Sequence, residues 1–145
     1  MTGFGAPTMA PSDWAGLSHF TAGEFAAPER MSRDFMMWLD GVRAAAGVPM
    51  HITSSYRTPQ HNAEVGGAAD SSHTDPICAA VDIGMWPTAS DPNWNHARYA
   101  ILRAAMDAGC VRWGIYPSGS IHLDRTEGVR PPAVAWVKVD NPAEP

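Results

Sequence analysis

Apolar positions along this chain change period several times, and each change marks an element. Met31, Phe35, Trp38, Leu39, Val42 and Ala46 recur at helical spacing on one face, with Arg33, Asp34, Asp40 and Arg43 largely on the other. Proline is tolerated in a first turn, so this helix is expected to begin at Pro28. Gly47 caps it and Pro49 prevents continuation. Its Met and aromatic stripe faces the core, because a domain this small needs such a stripe. Residues 50–54 read as a strand, and Thr58-Pro59 as a turn into a short helix through Val65. The run GGAADSSH is loop, with Gly66 and Gly67 open to unusual backbone angles. Residues 79–84 form a second strand, with Val81 and Ile83 on one face and Ala80 and Asp82 on the other. After a turn-rich connection at residues 86–95, Trp94, Ala97, Ile101, Leu102, Ala105 and Met106 mark a second long helix, ended by Gly109. Residues 111–116 and 120–124 read as a hairpin turning at Pro117-Ser118-Gly119. Pro131-Pro132 precedes a last strand at residues 134–139. Helices alternating with strands in this order predict an α+β fold, with helices packed against a mainly antiparallel sheet.

Residues 1–18, rich in Gly, Pro, Ala and Ser, read as an extended arm. Thr21 and Glu24 have capping-box spacing, so a helical turn is expected there, with Phe20 and Phe25 as anchors. Residues 19–140 make one domain, and 141–145 a frayed tail. At 145 residues a single core is expected. A net charge of −5, with nine Arg and one Lys, offers no basic stripe for nucleic acid. No apolar run approaches membrane-span length, and the N-terminus lacks the basic and apolar segments of a signal peptide. Synthesis in the cytosol without export by that route is the expectation. Cys78 and Cys110 are too few for a disulfide scaffold and read as buried free thiols.

The chemistry lies in two stretches. Period two in SIHLD turns Ile121 and Leu123 to the core and Ser120, His122 and Asp124 to the opposite face. The same logic exposes Asp82 on one face of its strand, and His73 comes from the loop before it. Two imidazoles and a carboxylate make the ligand set of a catalytic zinc, with a fourth position left for water. Such a metal lowers the pKa of water from ~16 to about 7 and polarises a carbonyl. Asp124, two residues from His122, is placed to hold a ligand imidazole in its metal-binding tautomer. Each residue also fits a plainer role: His73 as a loop hydrogen-bonder, Asp82 as a strand-end turn residue, His122 as a surface histidine.

A string of ordered motifs carries more weight. S-x-Y-R-T-P-x-H-N, then G-G-A, S-x-H, A-x-D-I, G-I-Y-P and I-H-x-D resemble the M15 peptidase family. These are the zinc D-Ala-D-Ala carboxypeptidases, whose fold is shared with the hedgehog signalling domain, and the likeness extends to small M15A-type proteins of bacteriophages. HFTAGEF and the helix running into VRAAAGVPMHITSSYR are similar too, so the likeness spans roughly residues 19–125. The resemblance implies zinc on His73, Asp82 and His122. It implies that Arg57 binds a substrate carbonyl or carboxylate, with Tyr56 and Ser72 as further substrate contacts and Ser72 orienting the loop of His73. A structural salt bridge is the plainer reading of Arg57. His61 and Asn62 match a structural pair of the family, while His19, His51 and His96 match no ligand.

Two departures stand out. The interval from His73 to Asp82 is two residues longer than the family spacing, so the loop must bulge. Relatives also place a His two residues, or an acid three residues, before the last ligand as general base. Here those positions hold Ser120 and Gly119, and neither takes a proton at neutral pH. Asp124, Glu127 and Asp75 are the substitutes, Asp124 first. The implied activity is cleavage of peptidoglycan stem peptides at a bond involving D-alanine, by a phage lysis enzyme or a virion-borne one acting in the periplasm or cell wall. The alternative is a non-catalytic virion or tail module, with other virion proteins as partners, or a peptidoglycan binder that keeps the fold and the metal.

Overall fold

The computed structural model describes residues 7–84 and 92–137. The expected connection at residues 86–91, the end of the last strand and the tail lie outside them. The elements are α1 (Pro11–Trp14), α2 (Arg33–Ala46), β1 (His51–Ser54), α3 (Pro59–Glu64), β2 (Ala80–Gly84), α4 (Pro92–Asp107), β3 (Arg112–Ile115), β4 (Ile121–Asp124) and β5 (Val134–Val137). The strands form one sheet in the order β1-β2-β4-β3-β5, antiparallel except for the parallel pair β3 and β5. The fold is α+β, as the alternation of elements predicts.

One face of the sheet is apolar. Val81, Ile83, Ile121 and Leu123 join Phe35, Met36, Leu39 and Val42 of α2 and Ile101 and Ala105 of α4 in a single core. The other face carries Asp82, His122 and Asp124, so alternation along β2 and β4 has sorted core from chemistry. Hairpin β3-β4 closes as expected: Gly119 N–H donates to the Tyr116 carbonyl at 2.9 Å, and its φ of 89° turns the chain back so that the Ser120 carbonyl accepts from Tyr116 N–H at 2.9 Å. Among the described residues, no helix is long and apolar enough to cross a membrane.

Several local expectations are corrected. The first long helix starts at Arg33, not Pro28, because residues 30–32 have other backbone partners. Ser32 N–H donates to the Cys78 carbonyl and Cys78 N–H to the Arg30 carbonyl, both at 2.8 Å. Pro28–Arg30 is therefore a lone 3₁₀ turn, and Ser32 caps α2 by accepting from Phe35 N–H at 3.2 Å. Ser32→Ala is expected to lower stability by about 1 kcal/mol, read as a drop in denaturation midpoint at unchanged slope.

From residue 7 onward the N-terminal segment is held against the domain. Met9 N–H donates to the Met31 carbonyl at 2.9 Å, and Trp14 is buried with its ring 5.2 Å from that of Phe25. Two apolar side chains bury there, and burial is what holds the segment down. The turn at Ala22–Glu24 forms with Thr21 N–H donating to the Glu24 carboxylate at 2.8 Å. Helix α4 is already formed at Pro92, earlier than expected, and Ala104 takes the core place assigned to Met106, which is 44% exposed. Cys78 and Cys110 are free and buried. Burial pushes their thiols up to about 12 and about 11, so neither is poised as a nucleophile.

Candidate metal centre

Two strands, one turn and the segment after β1 build the site. Ser71 caps the turn Ser72–Thr74, its hydroxyl accepting from His73 N–H at 3.2 Å. The segment after β1 holds that turn from the other side: Arg57 N–H donates to the His73 carbonyl at 2.8 Å. The Ser55 carbonyl in turn accepts from Nδ1 of His73 at 2.6 Å. On the sheet, Asp82 of β2 lies in register with His122 of β4. His73 Nε2 and His122 Nδ1 lie 3.1 and 3.0 Å from the same oxygen, Asp82 Oδ1. His73, Asp82 and His122 are all buried, and among the described residues they are the group of ligating side chains placed to hold a metal ion.

The outer hydrogen bonds decide what the inner atoms can do. Nδ1 of His73 must carry a proton to serve the Ser55 carbonyl, and Nε2 of His122 must carry one to serve Asp124, 2.7 Å away. In the neutral rings the inward nitrogens are lone pairs facing a carboxylate oxygen, an arrangement that repels unless a proton or a metal cation lies between them. Spacings near 3 Å suit it, since a tetrahedral shell with bonds of ~2.0–2.1 Å sets its donors about 3.3 Å apart. The donor set thus fits a divalent metal.

Protonation follows the same logic. Burial opposes charge on His122, but its hydrogen bonds to Asp124 and Asp82 outweigh it and hold the imidazolium up to about 9. Against an ordinary value of 6.5, that proton stabilises the metal-free fold fully below about 6.5, and the contribution is lost as pH rises through about 9. Metal entering at Nδ1 must displace it. Metal affinity is therefore expected to rise about tenfold per pH unit up to about 9 and then level off. Chelator-competition titrations at stepped pH measure the slope, and a flat profile from pH 7 to 9 would mean that no proton has to leave His122 in that range. The carboxyls of Asp82 and Asp124 are held well below the usual range: burial resists their charge, but their histidine partners overcome it.

Asp124 is the best-anchored group of the site and is fully buried. Oδ2 meets His122, while Oδ1 accepts from Arg112 Nε at 2.7 Å, Thr126 Oγ1 at 2.7 Å and Thr126 N–H at 3.0 Å. Such a carboxylate orients His122; it is not free to act as the base for which it ranked first. Asp75 is taken as well, by both terminal nitrogens of Arg130 at 2.8 and 3.0 Å. That clasp accommodates the longer loop, since Arg130 also donates to the Asp70 carbonyl at 2.7 Å and so pins both sides of the His73 turn. Glu127 pairs with Arg125 at 2.8 Å and lies off the cleft. Among the described residues, Asp70 is the cleft carboxylate without a side-chain partner.

A cleft of about 640 Å³ opens onto the three ligands, with Arg57, Ser72 and the loop Gly66–Ala68 in its wall. Arg57 Nε is buried with no hydrogen-bond partner, so a structural salt bridge does not account for that nitrogen. Ser72 sits behind the metal face, its hydroxyl 3.4 Å from His122 Nε2. Asn62 is buried and structural as expected, donating to the Ala68 carbonyl at 2.7 Å; a Cβ on Gly67 would collide with its amide. Tyr56 is not brought to the cleft. Its ring packs on the core edge beneath Arg30, because successive extended residues point opposite ways and Arg57 takes the cleft side.

Two site residues escape sequence reasoning. Tyr116 donates its hydroxyl to Asp82 Oδ1 at 3.0 Å. Burial first, then the Asp82 charge, push its phenol upward, so it stays a neutral donor. The signal was its place in G-I-Y-P beside the hairpin turn. Trp136 lines the cleft and lies 5.4 Å from His122, ring to ring; no local pattern marks it. A family model described as Peptidase M15 matches residues 15–124. No curated protein matches the chain.

Proposed function

Because the chain belongs to the peptidase M15 family, we propose that it is a zinc-dependent hydrolase of peptidoglycan stem peptides, cutting at a bond that involves D-alanine. One observation carries the reading: two imidazoles with fixed tautomers and one carboxylate converge at the floor of a cleft whose wall holds an unpartnered guanidinium nitrogen. His73, Asp82 and His122 would hold the ion. Bound there, it supplies Lewis acidity to a carbonyl and a source of hydroxide at neutral pH. Asp124 and the Ser55 carbonyl keep both imidazoles turned inward. Arg57 anchors the substrate carbonyl or terminal carboxylate by paired N–H donors and stabilises the negative charge that grows as the bond is attacked. Tyr116 holds Asp82 in line, and Asp70 is the cleft carboxylate left to accept a proton.

The phage setting rests on the likeness to phage-encoded proteins. In that setting the chain is made in the host cytoplasm and acts on the wall, during lysis or as a virion part. A second reading has a specific observation behind it. None of the three acids ranked as bases is placed to take a proton, which favours a metal-retaining virion module or peptidoglycan binder. Release of peptide fragments from purified peptidoglycan, with and without chelator, separates the two. Chelator-sensitive release supports the hydrolase. Bound zinc without release supports the module.

A further inference from the structure

Five residues, one from each strand, run in a row across the site face of the sheet: Ser54, Asp82, His122, Gly114 and Trp136. The function above uses the second and third. Gly114 and Trp136 form a unit of their own. A Cβ at position 114 would fall within the indole, against Cδ2, Cε2 and Cε3. The missing side chain therefore lets Trp136 lie across β3 and reach His122 on the strand beyond. Its ring is 5.4 Å from His122 at 42° and 5.4 Å from Tyr116 at 77°, so two aromatic neighbours fix it. Packing does not consume it: Trp136 stays partly exposed and lines the cleft beside the ligands. It also lies beyond the residues that the family match covers.

Resting on the peptidase reading, we propose that Trp136 is a specificity-determining residue whose open indole surface receives a methyl-sized apolar side chain next to the bond that is cut. A flat apolar face of limited exposure suits a small side chain. The negative face of an aromatic ring disfavours a carboxylate, which is left to Arg57. The contact seats the scissile bond over Asp82 and His122.

The test uses the zinc-loaded full chain and a synthetic stem peptide ending in D-Ala-D-Ala, beside the same peptide with glycine in place of its last alanine but one. Binding by calorimetry and kcat and KM by product release are compared for wild type, Trp136→Ala, Trp136→Phe and Gly114→Ala, with metal content as a control. Trp136→Ala is expected to weaken use of the alanine peptide about tenfold and to erase the preference for alanine over glycine. Trp136→Phe keeps most of that preference, and Gly114→Ala matches Trp136→Ala because its methyl displaces the indole. An unchanged preference in Trp136→Ala overturns the inference while leaving the peptidase reading intact. Loss of metal in that variant makes Trp136 a prop for His122 and overturns it too. A metal-loaded wild type that neither binds nor cuts either peptide removes the peptidase reading and this inference together.

Discussion

His122→Ala is expected to leave the protein without tightly bound metal and to reduce peptide release to background. The imidazole is engaged on both nitrogens, at 3.0 Å with Asp82 and 2.7 Å with Asp124. Losing an outer partner of a metal ligand costs about 10- to 100-fold in affinity, and losing the ligand itself costs more. The variant should still fold, because Asp124 keeps Arg112 and Thr126 and is not left as an unpaired buried charge. Metal per chain by elemental analysis, release assays and a far-UV spectrum make the comparison. Asp124→Asn grades it: shape stays, charge goes, and metal affinity should fall within that 10- to 100-fold range. Full metal occupancy in His122→Ala would mean that the ion sits elsewhere.

Arg57→Ala is expected to lower kcat about 100- to 1,000-fold with metal content unchanged. The fold leaves part of its guanidinium unused. Nε is buried and unpartnered, while its backbone N–H holds the His73 carbonyl at 2.8 Å. The backbone contact survives the substitution, so the metal ligands stay in place. Arg57→Lys should recover only part of the loss, because an ammonium is a point charge without the paired donors of the fork. Loss of stability with kinetics unchanged would return Arg57 to a structural role.

Much of the centre is legible in the sequence. Alternation along residues 80–84 and 121–124 puts Asp82, His122 and Asp124 on the face away from the core. The string from SSYR to IHLD carries the family. Local patterns do not report partners. That Asp124 is saturated follows from its register with Arg112 on β3, twelve residues away, and from a threonine hydroxyl two residues on. Asp75 looked available as a base because its partner, Arg130, lies 55 residues downstream. Pro28 looked like a helix start because proline fits a first turn, but the tie of residues 30–32 to Cys78 is a long-range pairing that no local rule contains.

The sequence by itself determined the kind of elements, the face on which each ligand stands and the family to which the chain belongs. These follow from the steric period of two in a strand and 3.6 in a helix, which are local and act on every residue alike. Only the tertiary structure decided which atoms meet: two imidazole nitrogens on one carboxylate oxygen, Asp124 as an orienting group and not a base, and Trp136 laid across Gly114 onto His122. Strand order and register set those meetings, and register is fixed by which face of each strand is buried and by the turns between strands, across segments far apart in the chain.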